Sequence, residues 1–215
     1  MANATTRLFV AGILMVLPAV AAKASRASRD NACTAPTVTI YLEHTMRMNA
    51  VEETRAVYVA SRAFQSIGVL LKWREGTPTP EAIESHCGEI IELQIDPVAP
   101  RGRTLEAAAY ATPGASSGTR IHIFYDRVKE LAPNVPNLYG YVLAHEIGHV
   151  LQRMARHSAE GIMKARWDGS DYNSMGVYAL RFTLEDAALI RDRAKPNRGA
   201  RSLPSGSDGS GASDQ

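Results

Sequence analysis

At 215 residues, with 45% hydrophobic and 21% charged side chains, the chain has the make-up of one globular domain and is short for two. Its formal net charge of +2 comes from Lys and Arg scattered along the sequence, never gathered into a basic block, so there is no electrostatic case for a nucleic-acid partner. Disordered and fibrous architectures are excluded on the same grounds. Composition says nothing further about chemistry.

Residues 1–24 read as a signal peptide. Arg7 precedes an apolar run from Leu8 to Val20, broken only by Gly12 and Pro18, and the small residues Ala19, Ala21, Ala22 and Ala24 follow. The run is shorter than the roughly 20 residues needed to span a bilayer, which favours cleavage over the alternative of a retained anchor. No other segment is long and apolar enough to span. The expectation is an exported protein, secreted or periplasmic, with no membrane association after cleavage. Cys33 and Cys87 fit an oxidising compartment, where a bridge between them would stabilise by roughly 2–4 kcal/mol. Neither belongs to a Cys-x-x-Cys pair, which argues against a redox motif or zinc knuckle. The alternative use of Cys33 is as an inhibitory thiolate on a metal.

A catalytic domain is expected over residues 33–195. Thr37 to Leu42 sets Val38, Ile40 and Leu42 on one side of a strand by simple alternation. Asn49, with Glu52 three residues on, marks a helix start. Ala56, Val59, Ala60, Ala63, Phe64 and Ile67 then recur at three-and-four spacing, and Gly68 is placed to end the helix. Val69 to Trp73 reads as a second strand and Glu89 to Ile95 as a third. The stretch from Pro97 to Thr119, rich in Pro and Gly, reads as irregular, and Ile121 to Tyr125 as a fourth strand. Asn137 caps an expected helix running to Leu151 or a little beyond. Thr183 with Asp186 starts a final helix carrying Leu184, Ala187, Ala188 and Ile190. Residues 196–215, Gly-, Ser- and Pro-rich with no apolar pattern, are expected to be a disordered tail. This order places helices against a mixed sheet, an α/β (α+β) domain.

The chemistry lies in His145-Glu146-Ile147-Gly148-His149. Residues four apart share a helix face, so both imidazoles can reach one cation. Glu146 is rotated about 100° from His145, since a turn takes 3.6 residues. It can lean over a metal-activated water without being a ligand. Neutral imidazole suits zinc, and three protein ligands leave a position for water. Zinc lowers that water's pKa to roughly 7, and the glutamate then takes its proton as it attacks a carbonyl. Leu143, Ile147, Val150, Leu151 and Met154 are expected on the core side, with Tyr141, His145 and His149 on the other; Gly148 leaves room beside the metal.

A third ligand is needed, and His157 is the nearest histidine downstream. To use it, the chain has to leave the helix after about Arg153 and fold Arg156-His157-Ser158 back towards the metal. The alternative is a solvated loop histidine. Gly161-Ile162-Met163 follows where a methionine could pass beneath the site, which is also a core-packing role.

With Phe124-Tyr125-Asp126-Arg127-Val128, Leu143 to Leu151, His157-Ser158 and Gly161 to Trp167 in view, the chain resembles the metzincin zinc peptidases. Among them it is most similar to small secreted bacterial proteins with no assigned substrate. The resemblance covers about the middle third. It implies a twisted mixed sheet, an active-site helix, a methionine turn and a C-terminal helix. It also implies a zinc cofactor on His145, His149 and His157, with Glu146 as catalytic base. A peptide or protein substrate would add as a strand along Ile121 to Tyr125 or the stretch near Ala109. The metzincin pattern His-Glu-x-x-His-x-x-Gly-x-x-His is departed from at Gln152, where glycine is expected, and at Ala155, where the last histidine is expected. No tyrosine lies two residues after Met163, so a tyrosine fifth ligand of the astacin kind is not implied.

Two other readings compete. An exported zinc-binding protein without turnover would need the ligands but not Glu146 as base. A gluzincin-like site would take its third ligand from Glu160, Asp168, Asp171 or Glu185.

Overall fold

The computed structural model describes residues 35–46, 48–86, 88–100, 109–112, 119–132, 134–135 and 137–195. The expected signal peptide, Cys33 and Cys87 with the bridge expected between them, and the tail expected beyond 195 fall outside the described residues.

Five strands form one mixed sheet: β1 (Thr37–His44), β2 (Leu70–Glu75), β3 (Glu89–Asp96), β4 (Ala109–Thr112) and β5 (Arg120–Phe124), in the order β2-β1-β3-β5-β4. β4 runs antiparallel to β5, and every other pairing is parallel. Register stacks the apolar residues into rows. Ile40 pairs with Ile91, Leu42 with Leu93, Leu93 with Ile121 and Ile95 with Ile123. Because alternate residues face opposite sides of a strand, these rows make one continuous apolar face. The other face is polar, with Arg120 against Glu92 and His122 Nδ1 against Asp96 Oδ2 at 2.9 Å.

The helices are α1 (Ala50–Gln65), α2 (Pro80–Ser85), α3 (Tyr125–Leu131), α4 (Leu138–Gln152), α5 (Gly169–Gly176) and α6 (Leu184–Ala194). α1 is capped as expected: the Asn49 side chain accepts from the Val51 amide at 2.9 Å, with Glu52 and Glu53 in the first turn. Its buried stripe is Ala56, Val59, Ala60, Ala63 and Phe64. That stripe packs on α4, and Gly140 is where the two approach closely. A Cβ there would lie 2.5 Å from Val59 Cβ and 2.8 Å from the Ala56 carbonyl oxygen. α4 also packs against α6. No helix among the described residues is long and apolar enough to cross a membrane.

Several expectations are corrected. The stretch from 97 to 119 is not wholly irregular, because Ala109–Thr112 pairs as the edge strand β4; of the two edges offered for a substrate strand, it is this one near Ala109, since Ile121 to Phe124 lies inside the sheet between β3 and β4. Tyr125 opens α3 rather than closing the fourth strand. Tyr141 is 2% exposed in the core, not beside the two histidines in solvent, because α4 is buried on all sides from Leu138 to Ala144. Met154 is 46% exposed, since it lies past the end of α4, where helical spacing no longer applies. In α6 the first residue Leu184 is 91% exposed, and the inner face is Asp186, Ala187, Ile190 and Ala194.

Candidate metal centre

α4 carries His145, Glu146 and His149 in its second half, where the enclosure of its first half opens and all three side chains become partly exposed. The helix ends at Gln152. Arg153 adopts φ 53°, ψ 30°, a left-handed cap that reverses the chain, and its amide donates to the Val150 carbonyl. The chain thus leaves the helix where the use of His157 requires, and His157 returns to the other two histidines.

One ring nitrogen from each of His145, His149 and His157 lies within 4.8 Å of the others. The ring centroids of His145 and His149 are 4.6 Å apart, those of His149 and His157 4.8 Å, and those of His145 and His157 5.4 Å. Backbone carbonyls set the ring orientations. His145 Nδ1–H donates to the Ile162 carbonyl at 2.7 Å, and His149 Nδ1–H to the Met154 carbonyl at 3.4 Å. Ile162 is in turn anchored, its amide donating to the Arg181 carbonyl at 2.8 Å. Such outer contacts fix the tautomer and aim the other nitrogen of each ring.

That other nitrogen decides what the cluster fits. With Nδ1 spent as donor in both rings, the lone pairs of His145 Nε2 and His149 Nε2 face each other at 2.9 Å. Two lone pairs at that distance repel unless a cation lies between them. Burial depresses the His145 pKa to about 4 and lowers that of His149, with the neighbouring histidines adding to the effect, so the rings themselves are held neutral. Nitrogens on one tetrahedral ion with bonds of about 2.0–2.1 Å stand about 3.3 Å apart. The donor set fits a metal ion that accepts imidazole.

Glu146 faces a cavity of about 610 Å³ beside the cluster. His145 shares that wall, Trp167 and Tyr172 supply apolar surface, and Arg127 and Arg166 bring charge. Burial raises the Glu146 carboxyl from 4.5 to about 7. Trp167 also stands edge-on to His145 at 5.5 Å and donates from its indole N–H to the Gly161 carbonyl at 3.3 Å.

Met163 is fully buried beneath α4. A Cβ at Gly148 would lie 2.5 Å from its sulfur, so the room left by Gly148 is filled by the methionine thioether. The acidic residues of the rival ligand set are elsewhere. Asp168 and Asp171 form the capping box of α5 and pair with Lys164 Nζ at 2.5 and 2.7 Å. Glu185 pairs with Arg156 at 3.2 Å, and Glu160 is exposed; the metal-binding cluster among the described residues is the three histidines. Sequence reasoning put a specificity pocket around Tyr172 to Tyr178, of which Tyr172 lines the cavity, and missed the walls from α3 and the 164–167 segment. It also missed α5, whose Asp168-x-x-Asp171 signal was in view only as possible ligands.

No family model matches the chain, and no curated protein matches it in sequence. Among solved structures that resemble it is metalloproteinase-II from Bacteroides fragilis, at 12% identity and a TM-score of 0.47. The match takes in 76% of this chain and 55% of that one, so this chain spans little more than half the length of that neighbour.

Proposed function

We propose that the chain is a zinc-dependent peptidase of the metzincin type, acting on peptide or protein substrates outside the cytoplasm. The observation that carries this reading is the convergence of three imidazoles, two of them with lone pairs aimed at one point, beside a carboxylate that opens onto a cavity. His145, His149 and His157 would hold the ion, and all-nitrogen coordination with an open side suits zinc. Bound zinc supplies Lewis acidity, making water acidic enough to ionise near pH 7 and polarising a carbonyl.

Glu146, one residue from the first ligand, takes the proton from the attacking water and returns it to the leaving amine nitrogen. The cavity beside it would seat the side chain next to the cleaved bond against Trp167 and Tyr172. Gln152 and Ala155 depart from the metzincin spacing. The turn at Arg153 supports the shifted third ligand, because it starts the chain back towards the site early enough for residue 157 to arrive there. Export rests on the sequence of residues 1–24, and the disulfide on the pairing of two cysteines in an oxidising compartment.

The test is metal analysis of the purified protein together with a peptide-library digest, with and without chelator. Glu146→Ala is expected to keep one equivalent of zinc and lose hydrolysis. Unchanged hydrolysis by that variant would remove Glu146 as base. Zinc binding with no cleavage by the parent protein would favour a binding protein without turnover.

A further inference from the structure

The inner face of α6 carries one charged residue among apolar ones. Asp186 is 0% exposed, alongside Ala187, Ile190 and Ala194. A buried carboxylate is costly unless its lone pairs are filled. Those of Asp186 are well supplied. Oδ1 accepts from Gln152 Nε2 at 3.1 Å, Arg156 Nη2 at 2.8 Å and Ser158 Oγ at 2.8 Å. Oδ2 accepts from Thr183 Oγ1 at 2.7 Å and shares the single Ser158 hydroxyl hydrogen with Oδ1, lying 2.9 Å from its oxygen.

The origin of these donors is informative. Thr183 is local, capping α6. The other three belong to the segment that leaves α4: Gln152 is its last residue, and Arg156 and Ser158 flank His157. Arg156 and Ser158 are drawn to the same carboxylate, and the ring of His157 between them lies 5.4 Å from that of His145 and 4.8 Å from that of His149. His157 is exposed, and burial does not hold it there. Behind it, the Ser158 amide donates to the Met163 carbonyl at 2.8 Å, tying the same segment to the methionine under the site.

We infer that Asp186 is the positioning residue for the third ligand, clasping Arg156 and Ser158 so that His157 is presented to the metal. The inference rests on the zinc-site reading and deepens it. It accounts for how this chain brings a histidine from position 157 where the metzincin spacing would use position 155: the left-handed turn at Arg153 starts the chain back, and the clasp anchors the returning segment on another helix.

The test uses Asp186→Asn, which keeps the size and loses the charge and one acceptor. Zinc affinity is measured by competition with a chromophoric chelator. Ring-to-ring NOEs from His157 to His145 and His149 are recorded in metal-free protein. Asp186→Asn is expected to weaken zinc binding about 10–100-fold, as loss of outer-shell support does, and to remove the His157 NOEs. In a His157→Ala background the same change is expected to add nothing, which a merely structural role would not produce. Ser158→Ala is expected to act in the same direction, less strongly, and it decides the matter if Asp186→Asn does not fold. Unchanged affinity and NOEs in the folded variant, or an equal loss without His157, would overturn the inference. Should the parent protein bind no zinc, the peptidase reading fails while the metal-free ring contacts still judge the role of Asp186.

Discussion

Replacing Glu146 with glutamine should stabilise the metal-free protein, increasingly as the pH rises above about 4.5. Burial lifts the carboxyl from 4.5 to about 7, which means that ionising it costs more in the folded chain than in the unfolded one. At about 1.4 kcal/mol per tenfold change, that rise corresponds to about 3 kcal/mol, and partial exposure of the side chain reduces it to about 2–3 kcal/mol. The cost is absent below the unfolded value of 4.5, grows between 4.5 and about 7, and is complete above. Glu146→Gln removes an ionisable group without changing size. In a chain of this length, 1 kcal/mol moves the melting temperature by roughly 2–4 °C. Thermal melts in excess chelator should therefore show the variant melting roughly 4–12 °C higher than the parent at pH 8 and equal to it at pH 4. Added zinc should shrink the gap at pH 8, because a nearby cation favours the carboxylate. Equal melting temperatures at pH 8 in chelator would refute the claim that Glu146 is held in a desolvated wall.

Other perturbations follow from the same contacts. Gly140→Ala forces a Cβ against the Ala56 carbonyl and Val59, and overpacking of about 1–3 kcal/mol outweighs the helix-propensity gain of about 1 kcal/mol; thermal melts should show a fall. Gly148→Ala crowds the flexible thioether of Met163 and meets Phe182 at ordinary contact distance, so it should cost less than Gly140→Ala in the same assay; the reverse order would contradict the packing described beneath the site. His157→Ala should leave metal-free stability within about 0.5 kcal/mol, since the residue is exposed, yet weaken zinc by more than the loss of an outer-shell contact. Asp168→Ala should leave zinc content unchanged, and a loss of metal there alone would revive the acidic third ligand.

The His145-Glu146-Ile147-Gly148-His149 motif was legible in the sequence because its geometry is local: a helix alone places residues four apart on one face. The same holds for the stripe of α1, its Asn49 cap and the alternation of β1 and β3, where each residue pattern needs only its own backbone period. The departure of the chain after Arg153 was also readable, once His157 was taken as a ligand. Tertiary contacts decided the rest. β4 is four residues whose identity as a strand comes from β5, and no sequence period announces the strand order. Tyr141 is buried because α1 and the 178–181 segment close over it, although its spacing from His145 suggested the same open face. Asp186 looked like an ordinary first-turn residue beside Thr183, and only the meeting of α6 with the 152–158 segment makes it a clasp. Local periodicity specifies which side chains share a face; what that face meets depends on chain segments distant in sequence, and there hydrogen-bond satisfaction and close packing make the choice.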